Sequence, residues 1–132
     1  TYNYHYKLKA AVTRSVNIFG PCDQNFNRLI PEVFSNIINN KKIILRSNGK
    51  YLRDYIYVED VVDGYIKLLR FMKSNPIDLK NNAFNFGSNK PISVINLVKL
   101  ILKLTNKTKI KIEINNTAIR VNQSLALVLM YY

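Results

Sequence analysis

Segments typical of strands and segments typical of helices alternate along most of this chain of 132 residues. The segment AAVTRSVNIF, Ala10 to Phe19, is rich in β-branched residues and stops at Gly20-Pro21, which predicts a strand that ends in a turn. Residues 29–40 then place apolar side chains at helical spacing and predict a helix. The order continues as a β-hairpin, a helix, a strand, a helix and a strand. Because strands that alternate with amphipathic helices are typical of layered folds of both elements, the sequence predicts an α/β or α+β layer fold, of which we favour α/β.

The dipeptide Asn48-Gly49 predicts a hairpin between the strands KIILRS and KYLRDYIYV, because both positions of a two-residue turn favour positive φ. Opposed residues of a hairpin project to the same side, so Arg46 and Arg53 are predicted to share a face with several tyrosines. The planar guanidinium group donates two parallel hydrogen bonds to a phosphate, which suits this face to a diphosphate. The pattern alone also fits a ligand-free surface of stacked Arg and Tyr. The full face comprises Ile44, Arg46, Tyr51, Arg53, Tyr55 and Tyr57.

Three acids, Glu59, Asp60 and Asp63, lie where the next helical stripe begins. In the cap and first turn of a helix, carboxylates accept hydrogen bonds from free N–H groups and complement the helix dipole. We therefore favour a structural role for these acids over general acid/base chemistry. The stripe itself comprises Val61, Tyr65, Leu68, Leu69 and Met72.

Further elements are predicted in the second half of the chain. Ser93 is placed to cap a helix, and AFNF before Gly87 predicts a short buried strand. Residues 109–114 alternate between polar and apolar side chains and predict a half-buried strand. The apolar end, 125–132, is expected to pack on another part of the fold.

The net charge of +12 favours anionic partners, but the lysines are interleaved with Asn and Ile rather than clustered. This favours a solvated surface, or a small polyanionic ligand, over nucleic-acid binding. Cys22 is the only cysteine, which excludes an internal disulfide and fits a reducing, cytoplasmic setting. His5 is the only histidine, so neither a metal site nor a nucleophile triad is predicted. No apolar run is long enough to span a bilayer.

Several motifs occur together in the order found in one family. AVTRSVNIFGP resembles the R-x-x-N-x-[YF]-G-P motif of the extended short-chain dehydrogenases, the NAD-dependent sugar-nucleotide epimerases and dehydratases. RLIP, RDYIYVEDVVDGY and FNFG continue the resemblance. The resemblance implies the C-terminal part of an extended Rossmann-type enzyme. Residues 1–26 are then the last Rossmann-sheet strand with its following loop, and 27–132 are a small α/β substrate-binding subdomain whose end is atypical from about 115.

The resemblance also implies a binding role for individual residues. Asn17, the asparagine of the first motif, is expected beside the sugar or its phosphate. Arg28 and Arg53 are expected to reach the diphosphate, and Arg46 is expected to contact the nucleotide. Asn85, in FNFG, is a weaker candidate, because a buried asparagine can serve only to satisfy the backbone.

DQNFNRLIP looks most like the CDP-glucose 4,6-dehydratases, which implies conversion of CDP-glucose to CDP-4-keto-6-deoxyglucose with NAD as internal hydride carrier. A sugar-nucleotide epimerase, a GDP- or dTDP-sugar dehydratase, and a non-catalytic basic RNA-binding domain are the alternatives. The four glycines are too far apart for a Gly-rich dinucleotide fingerprint, and no Tyr-x-x-x-Lys pair is present. The catalytic residues are therefore expected upstream of Thr1, and this part alone is expected to be inactive. The resemblance further implies a homodimer or homotetramer for the whole protein.

Overall fold

A computed structural model describes residues 5–6, 9–75, 82–115 and 126–131, the last of these by backbone alone. Within these ranges the strands are β1 Lys9–Ser15, β2 Asn17–Phe19, β3 Ile43–Leu45, β4 Leu52–Arg53, β5 Tyr55–Tyr57, β6 Ala83–Phe86, β7 Ile92–Ser93, β8 Ile112–Ile114 and β9 Ala126–Tyr131. The helices within these ranges are α1 Leu29–Ile38, α2 Val58–Ser74 and α3 Val94–Leu104. The mixture of parallel strand pairs and helices confirms the predicted α/β class. In the parts of the chain that are described, no helix is both long and apolar enough to cross a bilayer.

The described residues group into two compact units. The first unit takes those within Thr1–Gly20, Tyr55–Asn89 and Asn122–Tyr132, and the second takes those within Pro21–Asp54 and Lys90–Val121. This division does not coincide with the boundary after residue 26, which stays a prediction, because β5 pairs with β2 and β6 pairs with β1. Pairing between strands distant in sequence thus determines which segments belong together.

The first unit is built around β1. Strand β6 pairs with β1 in parallel, from Val12 opposite Ala83 to Ser15 opposite Phe86. Strand β9 pairs with the other edge of β1 in antiparallel orientation. The predicted packing of the apolar chain end is thus seen for 126–131, while 116–125 lie outside the described residues. The single strand predicted over 10–19 is divided at Val16, whose N–H donates to the carbonyl of Phe86 at 3.0 Å, and β2 pairs with β5 instead.

Helix α2 covers this sheet with the predicted apolar stripe. Leu68 and Met72 are buried against Ala11, and Phe84 and Phe86 pack against the same cluster. Gly64 allows this approach, because a Cβ there would lie 2.9 Å from the ring of Phe86. The short strand predicted here is formed, but the alternation that packs the two phenylalanines inwards leaves Ala83 and Asn85 exposed, so the predicted burial of the strand is wrong.

The acids of α2 follow the prediction only in part. Glu59 and Asp60 lie in its first turn, where they complement the helix dipole. Tyr57 is the N-cap and no side chain caps the helix. Asp63 lies one turn further along and pairs with Lys67 at 3.2 Å, with both side chains well exposed. The structure therefore gives Asp63 a helix-surface ion pair instead of the predicted cap position.

The second unit buries one apolar cluster between two helices and a parallel strand pair. Strand β3 pairs with β8, with Ile43 opposite Ile112. Helices α1 and α3 pack on this pair, and α3 is capped as predicted, since Ser93 Oγ accepts a hydrogen bond from the N–H of Asn96 at 3.4 Å. The strand predicted over 109–114 is shorter and begins at Ile112. The buried residues are Val33, Ile37, Ile43, Leu45, Val98, Ile101 and Leu102.

Helix α1 ends two residues before the predicted limit, at Ile38. Asn40 adopts a positive φ of 50°, and the N–H of Lys41 returns to the carbonyl of Asn36 at 2.8 Å. This bond is the six-residue closure of a Schellman motif, which ends a helix and satisfies a terminal carbonyl.

The predicted hairpin at Asn48-Gly49 is not formed. Of its two turn residues only Gly49 has a positive φ, at 73°, whereas a type I′ turn requires it at both. The N–H of Lys50 donates to Asn48 Oδ1 at 3.0 Å, and the carbonyl of Gly49 accepts from the N–H of Ile95 at 3.0 Å. The loop is thereby fastened to α3, and β3 and β4 enter different sheets.

Adjacent residues of α1 provide a test of this core. Ile37 is 5% exposed and Ile38 is 78% exposed. We expect Ile37→Ala to lower the free energy of unfolding by about 2–5 kcal/mol, because it removes buried methylene groups and leaves a cavity. Ile38→Ala, the matched control, should change it by about 0.5 kcal/mol or less. Urea denaturation measures both, and equal effects would contradict this packing.

The contact between Gly20 and Val58 allows a second test within the first unit. A Cβ at Gly20 would lie 2.4 Å from Cγ1 of Val58. We expect Gly20→Ala to destabilise by about 1–3 kcal/mol through overpacking. The double variant Gly20→Ala/Val58→Ala should recover part of that loss, and a double-mutant cycle of unfolding free energies measures the coupling. Strictly additive effects would show that the two positions do not touch.

Candidate functional site

Arg28 lies at the N-cap of α1 and is held there by its backbone and by its side chain. Its backbone is extended, with φ −86° and ψ 145°, and its carbonyl accepts a hydrogen bond from the N–H of Glu32 at 3.0 Å. Its guanidinium Nη1 donates to Asp23 Oδ2 at 3.2 Å. The Arg28 side chain remains 51% exposed, so most of its donors can reach a ligand from solvent.

The loop before α1 is ordered by local side-chain hydrogen bonds. Asp23 Oδ1 accepts from the N–H of Asn25 at 3.0 Å, and Asn25 Oδ1 accepts from the N–H of Asn27 at 3.2 Å. The carbonyl of Asn25 also accepts from the N–H of Arg28 at 2.9 Å. Asn and Asp side chains that bond the backbone two residues on stabilise such turns. This sequence of turns sets the position from which Arg28 extends.

Arg46 follows the carboxyl end of β3 and contacts the same helix. Its Nη2 lies 3.5 Å from Glu32 Oε1, and the Arg46 side chain is 57% exposed. Glu32 belongs to the first turn of α1, so it links Arg46 to the turn that Arg28 caps. The structure therefore brings two of the predicted binding residues to one helical turn. Sequence reasoning did not single out Asp23 or Glu32, although Glu32 lies four residues after Arg28, the spacing of one turn.

Arg53 occupies an antiparallel strand pair and is exposed. It lies opposite Ile92 in the pairing of β4 with β7. Among the described residues it makes no ion pair, unlike Arg28 and Arg46. The predicted common face of Arg46 and Arg53 is not formed as a hairpin face, because β3 and β4 have different partners. Tyr55 and Tyr57 lie in β5, which pairs with β2 in the first unit.

The two asparagine candidates belong to the first unit, whereas the three arginines belong to the second. Asn17 opens β2, opposite Tyr55, and is exposed. Asn85 lies opposite Arg14 in the pairing of β6 with β1. It is exposed between two inward-facing phenylalanines, so the expectation that it is buried is wrong.

Positive charge is concentrated in the second unit. Its described residues, 21–54 and 90–115, carry twelve Lys and Arg against four Asp and Glu. The described residues of the first unit carry five against three. In the second unit Asp23, Glu32 and Glu113 are each paired with a basic side chain. Such a distribution attracts an anionic ligand to this unit.

Parallel strand pairs joined through helices define an α/β protein, and two exposed arginines lie at one helical turn of its second unit. Comparison of sequences identifies the class further. The chain belongs to the NAD dependent epimerase/dehydratase family, which it matches over residues 1–87.

Individual relatives agree with this assignment. The chain is 30% identical to human dTDP-D-glucose 4,6-dehydratase over 122 residues, which is 92% of this chain and 33% of that protein. It is 31% identical to the Dictyostelium discoideum enzyme of the same name over 105 residues, 80% of this chain and 23% of that protein. The chain thus spans about a quarter to a third of the length of these relatives.

Solved structures give the same result for the fold. A dTDP-glucose 4,6-dehydratase from Bacillus anthracis, in complex with NAD, superposes with a TM-score of 0.64 at 28% identity, covering 77% of this chain and 31% of that one. Pal from Bacillus thuringiensis superposes with a TM-score of 0.71 at 28% identity, covering 86% of this chain and 34% of that one. In both superpositions, this chain matches about a third of the other protein's chain.

The described residues do not fit a dinucleotide cradle. Such a cradle needs glycines that open towards a ligand, so that backbone can approach the pyrophosphate. Gly20, Gly49 and Gly64 instead face side chains of their own units, because a Cβ at each would lie 2.4, 3.0 and 2.9 Å from the nearest atom. These three glycines serve the packing of the fold and do not form a site for NAD.

Proposed function

We propose that this chain supplies the sugar-nucleotide diphosphate site of a sugar-nucleotide 4,6-dehydratase that uses NAD as an internal hydride carrier. One observation carries the proposal: Arg28 and Arg46 are both tied to the first turn of α1 and both remain more than half exposed. Arg53, which is free of ion pairs within the described residues, is proposed as a further diphosphate ligand. Asn17 and Asn85 are proposed as contacts to the sugar or its phosphate.

The energetics favour exchange of carboxylate for diphosphate at these arginines. Exposed ion pairs contribute about 0–1 kcal/mol each, since solvent screens them. A charge-assisted hydrogen bond to a ligand phosphate contributes about 1.5–3 kcal/mol, and Arg can form two in parallel. A diphosphate also carries more charge than one carboxylate. Arg28 and Arg46 can therefore leave Asp23 and Glu32 when such a ligand arrives.

CDP-glucose is the proposed substrate, converted to CDP-4-keto-6-deoxyglucose, and dTDP-glucose is the second candidate. The motif DQNFNRLIP supports the first, while the names of the human and Dictyostelium relatives favour the second. A GDP-sugar dehydratase and a sugar-nucleotide epimerase are further alternatives within the family. A diphosphate is common to all of these substrates. The arginines therefore support the class of sugar-nucleotide enzymes and do not distinguish between the nucleotide bases.

Catalytic and cofactor-binding groups are proposed to lie outside the described residues. NAD, when bound, supplies the hydride acceptor and donor of such a reaction. The glycines described above do not form a site for it, and no Tyr-x-x-x-Lys pair occurs in this sequence. We propose that the whole protein is a homodimer or homotetramer and that this part alone is inactive.

A titration series tests the diphosphate site. We expect the chain to bind CDP or dTDP saturably and Arg53→Ala to weaken that binding by roughly tenfold or more, the value of one charge-assisted hydrogen bond. Isothermal titration calorimetry with CDP, dTDP, UDP and GDP measures affinity and base preference. Lys103→Ala is the matched control, because it removes one exposed positive charge from the last turn of α3 and should leave affinity nearly unchanged.

Single-stranded RNA in the same series tests the alternative of a basic RNA-binding domain. That alternative predicts tighter binding to RNA than to nucleoside diphosphates, with a steep salt dependence. It also predicts that Arg53→Ala and Lys103→Ala weaken binding by similar amounts. This pattern would overturn the proposed function.

NAD⁺ itself gives a further expected outcome. Because Gly20, Gly49 and Gly64 are closed by packing, we expect the pyrophosphate of NAD⁺ to bind weakly and at the same arginines as CDP, so that CDP displaces it completely. Competition calorimetry measures this. Binding of NAD⁺ that persists at saturating CDP would reveal a separate cofactor site and contradict the packing role assigned to the glycines.

A further inference from the structure

Each carboxylate at the α1 turn has a defined set of contacts. Asp23 uses one oxygen on Arg28 and the other on the backbone N–H of Asn25. Glu32 contacts Arg46 through one oxygen only, at 3.5 Å, and its side chain is 26% exposed. Each of the two guanidinium groups is thus paired with one carboxylate.

Two effects of these carboxylates oppose each other. A carboxylate that fixes a guanidinium in place pre-organises it for phosphate and so favours binding. The same carboxylate repels the incoming diphosphate and must be displaced. Arg46 contacts Glu32 through a single, long contact, and its side chain is more than half exposed. This contact therefore restrains the guanidinium group only weakly. The repulsion acts on every negative charge of the diphosphate, so it is the larger effect.

We propose that Glu32 and Asp23 are exchangeable counter-ions that set the affinity of this site for nucleoside diphosphates, an inference that rests on the proposed function. They hold Arg46 and Arg28 when the site has no ligand and give them up to the phosphates when the ligand binds. Glu32 has the stronger effect, because its described side-chain contact is Arg46 alone. Asp23 also orders the loop through Asn25, so it remains in place after Arg28 has turned to the ligand.

Charge-neutral replacements of the same size test this role. We expect Glu32→Gln to tighten binding of CDP or dTDP to the chain by roughly three- to tenfold at low ionic strength, since it removes the repelling charge. Asp23→Asn should tighten binding by a smaller factor. The loop should keep its structure in this variant, because an amide oxygen still accepts the hydrogen bond from the N–H of Asn25. Calorimetry measures the affinities, and thermal denaturation followed by circular dichroism checks that both variants fold.

Glu59→Gln is the matched control. It makes the same change in the first turn of α2, in the other unit, and raises the net charge equally. Its affinity should equal that of the parent chain. The gain of Glu32→Gln should also shrink at high salt, where mobile ions screen the charge, whereas a loss of local structure would not depend on salt in this way.

The outcomes separate the inference from the function on which it rests. If the parent chain binds nucleoside diphosphates while Glu32→Gln and Asp23→Asn bind equally or more weakly, the counter-ion role is wrong and the diphosphate site stands. An equal gain for Glu59→Gln assigns the effect to net charge and also overturns the role. If neither the parent chain nor the variants bind any nucleoside diphosphate, both proposals fall.

Discussion

Parallel strand pairing is the constraint on which both units depend. A tight turn cannot join two parallel strands, so the chain must travel back through a long crossover before it pairs. Strand β1 meets β6 only after α2, and β3 meets β8 only after α3. Helix α2 therefore covers β1 and β6, and α3 covers β3 and β8, the strands that their own crossovers connect. The buried clusters follow from this geometry, because the apolar stripes of the helices face the strands.

The same constraint explains which parts of the fold the sequence could predict. The helices were predictable because their stripes are local, and Ser93 is a cap that needs only its own turn. The prediction of a hairpin at Asn48-Gly49 was wrong, because local turn preference cannot show that β3 pairs with the distant strand β8. The alternation of side chains in β6 was visible in the letters AFNF. The sequence did not show that only one face of this strand is covered.

The candidate site was predictable in its residue types and less so in its arrangement. Arg28, Arg46 and Arg53 came from motifs and from the chemistry of guanidinium groups. Their carboxylate partners did not. Asp23 lies in the loop before α1 and Glu32 lies in the first turn of α1, so neither belongs to the strand face that the sequence pattern described. Asn17 and Asn85 fall on strands of the other unit, which follows from the pairing of β1 with β6 and of β2 with β5. A sequence read segment by segment does not contain these pairings.

The excess of positive charge in the second unit bears on how the arginines work. Long-range attraction to an anion depends on net charge. The lysines on α3 and after it supply much of that charge, although they do not belong to the α1 turn. Recognition of a diphosphate depends on short, directed hydrogen bonds, which arginine provides and a lysine point charge does not. Paired carboxylates cancel the charge of Arg28 and Arg46 but leave most of their donors available. In the proposed site, the lysines therefore attract anions, and the arginines select by geometry those anions that carry phosphate groups.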